Sequence, residues 1–259
     1  MNSFAGLRLA VGLLTIIPVR PPTTIGRREA RAAMLLAPFA VLPVALAAGL
    51  VGWGATLVGV PGVVAGLVSV AVVAFGTRAM HLDGLADTTD GLGSGKAADR
   101  ALEIMRRGDV GPMGTVALIL ALAMQAVAGG ALLGRPFRWL QLVVLVSLSR
   151  AALLFGCVEG VPAARPDGLG ALVAGSVGVP AAVFSWLVGL AAATGVATLA
   201  GQAVWVPAVG VVVAVLACLW LVLRCVRRLA GVTGDVLGAL VEVCATVLLV
   251  TATAWPPGW

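Results

Sequence analysis

Long apolar tracts alternate with short polar segments along the whole chain. Residues 32–77 contain no Asp, Glu, Lys or Arg, and neither do residues 168–223. Because a helix needs about 20 apolar residues to cross a bilayer, each tract is long enough for two crossings and a turn. We therefore predict an all-α, polytopic bundle of transmembrane helices embedded in the lipid bilayer. Its seven predicted spans are 33–52, 57–77, 113–133, 139–158, 171–195, 205–223 and 236–254.

A further apolar segment, residues 3–18, precedes these spans, but Arg8 interrupts it and Pro18 ends it. The segment is short for a full crossing, so lying in the interface, re-entering or spanning with a tilt are all open. We expect the first hairpin to turn at 52–54 or shortly after. No period of about 20 to 50 residues repeats, so residues 1–259 are treated as one integral membrane domain. Its polar loops are predicted at about 78–111, 159–168 and 224–235.

The composition agrees with a membrane protein, since 61% of the residues are hydrophobic, 11% are charged and the mean hydropathy is +1.10. These values lie outside the range of soluble globular domains. A net charge of +6 is compatible with nucleic-acid binding, but the basic residues lie in the connections between spans. Membrane topology and anionic phosphate ligands explain that distribution better, so nucleic acid is not an expected partner. The pattern does not define an oligomeric state.

The basic residues also predict the orientation of the chain. Of 17 Lys and Arg, Arg135 and Arg138 lie on one predicted side and Arg8 is unassigned, which leaves fourteen on the other side. By the positive-inside rule that side is cytoplasmic, so the three polar loops face the cytoplasm and the chain is placed in the cytoplasmic (inner) membrane. Tryptophans favour interfaces, and five are predicted at the opposite one: Trp53, Trp139, Trp205, Trp255 and Trp259.

Three carboxylates, Asp83, Asp87 and Asp90, fall within eight residues of a chain that has only 11 acidic residues. In a helix their spacing of i, i+4 and i+7 places them on one face, with His81 on another side. Such carboxylates raise one another's pKa unless a cation lies between them. Oxygen ligands suit Mg²⁺ or Mn²⁺, which complete their shells with substrate phosphates. The pattern predicts a metal site, and a hydrated loop with ordinary acids is the alternative.

Two glycines and the only histidine lie in the same stretch. Gly84 and Gly91 each cost a helix about 1 kcal/mol relative to alanine, and in return they let a phosphate or another helix approach the backbone. His81 is either a general base or a hydrogen-bond partner of a carboxylate. Together with the carboxylates, these residues form the candidate centre of the chemistry.

Other acids and the arginines extend the candidate site. Asp235 and Glu242 are seven residues apart on the last helix, and Glu242 lies about two turns inside the bilayer. A carboxylate there needs a partner, which is a cation shared with the other acids, an arginine such as Arg150, or a backbone or hydroxyl group. Arginines beside metal-binding carboxylates suit a pyrophosphate, although holding topology and meeting lipid headgroups is the simpler explanation. The predicted phosphate ligands are Arg100, Arg106, Arg150 and Arg165.

The run from His81 to Leu92, followed by Arg100 and Ile104-Met105-Arg106, resembles the signature of the cobalamin synthase family, the adenosylcobinamide-GDP ribazoletransferases. The resemblance covers nearly the whole chain, since it continues through Leu14-Thr15, Ser149-Arg150-Ala151, Ala164-Arg165 with Gly168, and Gly231 to Asp235 with Gly238 and Glu242. In two places the chain differs from the family pattern. The acid after Met105 is displaced to Asp109, and Ala245 stands where many members have a second acid.

The resemblance implies transfer of the adenosylcobinamide phosphate moiety from adenosylcobinamide-GDP to α-ribazole or α-ribazole 5′-phosphate, with release of GMP. This is a late, Mg²⁺-dependent step of vitamin B12 biosynthesis. A carboxylate of this stretch, Asp90 first and Asp83 or Asp87 otherwise, or else His81, is then expected to accept the proton of the incoming hydroxyl. The implied metal ligands are Asp83, Asp87, Asp90, Asp235 and Glu242, and the implied contacts with substrate phosphates include Gly84, Gly91 and Thr233.

Two other functions fit parts of the pattern. A CDP-alcohol phosphotransferase that makes lipids also uses aspartates on membrane helices, but its motif has Ala-Arg after the Asp-Gly pair. Here Asp83-Gly84 is followed by Leu85-Ala86. An ion-coupled transporter would use buried acids as a relay, usually within internal repeats.

Overall fold

The computed structural model describes residues 3–20, 22 and 24–253. The structure is 78% helical, and no β-strand forms among the described residues, which confirms the all-α prediction. The first six helices are α1 (Ser3–Leu14), α2 (Arg27–Leu57), α3 (Gly62–Gly76), α4 (Met80–Gly93), α5 (Ala98–Met105) and α6 (Pro112–Leu133). The next six are α7 (Arg138–Leu148), α8 (Leu153–Cys157), α9 (Gly168–Val173), α10 (Val179–Leu199), α11 (Trp205–Leu229) and α12 (Gly234–Thr253).

Six helical segments in the described part of the chain are long and apolar enough to cross a membrane. They are α2, α6, α10, α11, α12 and the segment Arg138–Cys157, in which a 3₁₀ turn joins α7 to α8. Helices α3 and α4 would together form a seventh span, but a bend of 91° separates their directions. The chain is thus a multi-pass membrane protein, and the predicted second span is the shorter helix α3.

At the beginning of the bundle, the N-terminal segment is a short helix, as one of the open alternatives allowed, and the first span has different bounds from those predicted. Helix α1 has 12 residues, about 18 Å at 1.5 Å per residue, which is too short to cross a bilayer. It packs against α2 instead, where Gly6 lies close to Ala32. Helix α2 starts at Arg27 rather than at 33 and continues through Gly52 to Leu57, so the turn comes later, at residues 58–61.

Glycines allow the helices to approach closely. A methyl group added at Gly66 of α3 would overlap the backbone carbonyl of Ala126 in α6, and one added at Gly130 would overlap the carbonyl of Gly62. Small residues of this kind are typical of helix interfaces in membranes, where van der Waals packing stabilises the contact. The α3–α6 pair forms one of the largest helix contacts in the bundle.

The predicted polar loop 78–111 contains two helices, α4 and α5. The bend before α4 is made by Arg78 and Ala79, whose φ angles of 56° and 53° lie in the left-handed region. Such a conformation is costly for residues other than glycine and must be held by its surroundings. The Arg78 guanidinium donates hydrogen bonds to the carbonyls of Gly12 and Leu13, each 2.9 Å long. This anchor turns α4 across the first turns of α6 and α12.

At the far end of the bundle, the rings of Trp53 and Trp139 stack with their centroids 5.7 Å apart. Trp205 begins α11 at the same end. Trp255 and Trp259, which were predicted to lie at this interface, fall outside the described residues. The opposite end, where the three polar loops lie, is called the loop side below.

Candidate functional site

The three polar loops meet at the loop side. The backbone of Val232 donates a hydrogen bond of 3.0 Å to the carbonyl of Pro162 and accepts one of 2.9 Å from Ala164, which joins the second and third loops. From the second loop, the Arg165 guanidinium donates to the carbonyl of Leu102 in α5 at 2.6 Å and pairs with the Asp235 carboxylate at 3.8 Å. Arg165 therefore connects all three loops.

Helix α4 crosses α12 at two glycines. A methyl group at Gly84 would lie 2.5 Å from the carbonyl oxygen of Asp235 and 3.1 Å from the Cα atom of Gly238. At Gly91 it would lie 2.6 Å from Cγ of Met105 in α5. The space predicted for a phosphate at Gly84 and Gly91 is thus filled by neighbouring helices. Of the two explanations for these glycines, the structure supports helix packing.

The close crossing brings Asp235 beside the acidic face of α4. Asp83 is exposed, whereas the Asp87 side chain is buried. Burial raises the pKa of the Asp87 carboxyl to about 6, and the negative charges of Asp83, Asp235 and Asp90 add to the shift, while Arg165 opposes it. We call Asp83, Asp87 and Asp235 the acidic cluster. Arg165 is close enough to offset the charges of Asp87 and Asp235 only in part, so the cluster favours further positive charge.

This shift can be measured in the metal-free protein. In the folded chain we expect the Asp87 carboxyl to change protonation at a pH of about 6, below which the neutral form prevails. Infrared difference spectra between wild type and Asp87→Asn, recorded across the pH range, should show the carboxyl stretch appear at that midpoint. Asp83→Asn removes a like charge and should move the midpoint to lower pH. A midpoint at the ordinary aspartate value of about 4 would contradict the burial of the Asp87 carboxyl among like charges.

Asp90, on the same face of α4, joins it to α6. Its two carboxylate oxygens accept hydrogen bonds from the backbone amides of Gly111 and Gly114, at 2.7 Å and 2.9 Å. These amides belong to the start of α6, where the helix lacks intrahelical acceptors and its dipole favours a negative charge. The sequence analysis missed this contact, because the acid and the amides lie more than twenty residues apart. The metal and proton-acceptor roles of Asp90 stay predictions.

The predicted phosphate ligands at the loop side already have protein partners. Arg106 pairs with Asp167 at 3.1 Å, and Arg100 pairs with Glu103 of its own helix. The Thr233 hydroxyl accepts a hydrogen bond from the Val236 amide and donates one to Asp235, so it caps α12. The pairs of Arg100 and Arg106 are exposed, and exposed pairs are weak enough for a phosphate to replace them.

A second polar group lies deeper in the bundle, away from the acidic cluster. Glu242 accepts a hydrogen bond of 2.8 Å from the Gln125 amide, and the Arg150 charge lies close enough to influence it. The Arg150 guanidinium is buried and donates to the Val146 carbonyl and the Ser149 hydroxyl. The structure therefore does not place Glu242 with the other predicted metal ligands, or Arg150 at the loop side. Gln125 was missed, although it is a polar amide inside an otherwise apolar span.

His81 also faces this interior. Only 2% of it is exposed, its backbone packs against Gly238, and neither ring nitrogen has a hydrogen-bond partner in the described part of the chain. Burial, and then the charge of Arg150, hold the pKa of the imidazole well below its usual range. The prediction that His81 points away from the aspartates agrees with the structure, and this position argues against its predicted role as a base.

The carboxylates at the loop side fit a divalent cation that takes part of its shell from other ligands. Among the described residues, no three His, Cys, Asp or Glu side chains converge tightly enough to hold a metal by themselves. Mg²⁺ is commonly bound by one or two carboxylates, with waters and substrate phosphates completing its shell. The acidic cluster offers oxygen ligands and an excess of negative charge, so it fits a cation that is shared with a phosphate.

Known proteins are similar to this chain over nearly its whole length. The model of the cobalamin-5-phosphate synthase family matches residues 6–253. The chain is 45% identical to the adenosylcobinamide-GDP ribazoletransferase of Nocardioides sp., with 96% of each chain covered. It is 40% identical to that of Frankia casuarinae, over 96% of this chain and 95% of the relative. No solved structure matches the chain. On this evidence the chain belongs to the cobalamin-5-phosphate synthase family.

Proposed function

We propose that this chain is an adenosylcobinamide-GDP ribazoletransferase. It transfers the adenosylcobinamide phosphate moiety to α-ribazole or α-ribazole 5′-phosphate and releases GMP, a late step of vitamin B12 biosynthesis. The observation that carries the proposal is the acidic cluster beside Arg165 where all three polar loops meet. Relatives that cover nearly the whole chain carry the same activity in their names.

In this reaction the ribose hydroxyl attacks the phosphorus that is bonded to adenosylcobinamide, and the bond to the GMP oxygen breaks. Asp83, Asp87 and Asp235, together with the phosphate oxygens of the substrate, would hold Mg²⁺, or Mn²⁺ in its place. The metal supplies charge neutralisation of the pyrophosphate. Arg165 and Arg106 stabilise the charge that develops on the phosphoryl oxygens. The exposed carboxylate of Asp83 is better placed than Asp90 to accept the hydroxyl proton, because two backbone amides already occupy Asp90.

We further propose that the loop side faces the cytoplasm and that the chain lies in the cytoplasmic membrane. The excess of arginine in the loops 78–111 and 224–235 supports this orientation through the positive-inside rule. Adenosylcobinamide-GDP carries a charged pyrophosphate, so a site at the aqueous end of the bundle is accessible to it. The opposite ends of the spans carry few charged residues by comparison.

The test is GMP release by the purified chain in liposomes, given adenosylcobinamide-GDP and α-ribazole 5′-phosphate. We expect release that requires both substrates and Mg²⁺ and that stops when EDTA is added. Omission of each substrate in turn provides the control. Hydrolysis without the ribazole, or release that persists in EDTA, would contradict the proposal. CMP release from CDP-diacylglycerol and an alcohol would instead support a lipid phosphotransferase.

A further inference from the structure

An apolar groove opens on the membrane-facing surface, remote from the acidic cluster. Its volume is about 510 Å³, within the range of roughly 300–1,000 Å³ that is typical of ligand pockets. Helices α2 and α10 form its walls, with Phe39 and Phe184 among their lining side chains, and α7 forms its floor. Helix α10 rests on α7, where Gly189 meets Leu148, and has little contact with α2. The gap between α2 and α10 is therefore open to the bilayer.

Two arginines stand above this groove on the same face of α2. Arg28 and Arg31 precede Leu35 by seven and four residues, which aligns them with Leu35, and Leu42 follows seven residues later. Both arginines are exposed, and the described residues form no recorded ion pair or hydrogen bond with either guanidinium. This face of α2 is therefore cationic at its start and apolar from Leu35 onward.

The dimensions of this line match one leaflet. Leu35 and Leu42 are separated by about 10 Å along the helix, since each residue rises 1.5 Å, and Arg31 lies about 6 Å above Leu35. The hydrocarbon core of a bilayer is about 30 Å thick, so the groove lies within the half nearer the loop side and the arginines lie at headgroup depth. Cationic groups at this depth attract anionic lipids.

We propose that this groove is a specific site for an anionic phospholipid. The headgroup phosphate binds Arg28 and Arg31 through charge-assisted hydrogen bonds, and one acyl chain lies against Phe39, Leu42 and Phe184. This acyl chain fills the gap between α2 and α10 and so stabilises the packing of α10 on the bundle. The two arginines supply the selectivity for negative charge, and the apolar walls supply the affinity for the acyl chain.

The experiment uses the full-length protein in detergent, mixed with phosphatidylglycerol and phosphatidylcholine of identical acyl chains, and native mass spectrometry to count retained lipids. We expect one phosphatidylglycerol to be retained at least about tenfold more strongly than phosphatidylcholine. The double variant Arg28→Gln/Arg31→Gln should lose this preference, and Val188→Trp, which fills the groove, should lose both lipids. Arg224→Gln/Arg227→Gln removes the same charge at the same end of the bundle and should behave like wild type.

Several outcomes would overturn the proposal. These are equal retention of the two lipids by wild type, unchanged selectivity in Arg28→Gln/Arg31→Gln, and an equal loss of selectivity in the Arg224→Gln/Arg227→Gln control. A dimer that Val188→Trp dissociates would assign the groove to a second copy of the chain. Because Arg28 and Arg31 are exposed, their substitution leaves the core intact, so the test remains decisive even if Val188→Trp fails to fold.

Discussion

Replacing Asp87 by asparagine is expected to lower the rate of GMP release by about a thousandfold while leaving the protein folded and inserted. The carboxylate is buried among like charges, so it contributes charge to the site at the expense of stability. Asparagine keeps the shape and removes the repulsion with Asp83 and Asp235. The thermal unfolding midpoint should therefore stay the same or rise. Rate and midpoint are measured on the same liposome or detergent preparation.

Asp99→Asn is the matched control, because Asp99 is an exposed acid in the same loop region, at the start of α5. It should retain nearly normal GMP release. If Asp87→Asn kept wild-type activity, the acidic cluster would have no role in the reaction. If it instead lost activity together with its folded structure, Asp87 would be a structural residue.

Gly84→Ala is the second substitution for which we expect a large effect. The added methyl group would lie 2.5 Å from the backbone carbonyl oxygen of Asp235, so α4 must move away from α12. Overpacking of this kind costs about 1–3 kcal/mol of the free energy of unfolding. It also separates Asp83 and Asp87 from Asp235, and a displacement of this order can lower a reaction rate about a hundredfold. Steady-state GMP release and thermal unfolding measure the two effects.

Gly54→Ala provides the control for this substitution. Gly54 lies inside α2, and a methyl group there meets no atom within 4 Å. The exchange should stabilise the protein slightly, because alanine is the better helix former, and should leave GMP release unchanged. A harmless Gly84→Ala would show that the crossing of α4 and α12 does not determine the geometry of the site.

The acidic motif shows how far the sequence could be interpreted. The spacing of Asp83, Asp87 and Asp90 predicted one helical face, and the structure contains that helix. Its surroundings were not readable, because the amides of Gly111 and Gly114 and the carboxylate of Asp235 come from distant parts of the chain. The role of Gly84 and Gly91 was also ambiguous from the sequence, because a bound phosphate and a packed helix both require a backbone without a side chain.

Glu242 illustrates the opposite situation. Its depth within an apolar span correctly predicted that it needs a buried partner. The sequence offered a cation, an arginine or a neutral polar group, and only the packing of α12 against α6 selected Gln125. A single face of the last helix was expected to serve one site, but Asp235 and Glu242 are separated into an aqueous cluster and an interior cluster.

The sequence by itself determined that this protein lies in a lipid bilayer, that it is helical, where its polar loops are and which family it resembles. Hydropathy and motif spacing are local properties of the chain, so they can be interpreted without the fold. The tertiary structure decided the bend before α4, the crossing at Gly84 and Gly238, and the inward position of His81. It also decided which carboxylates share one electrostatic environment. These features depend on contacts between residues far apart in the chain, and such contacts form only when the helices pack.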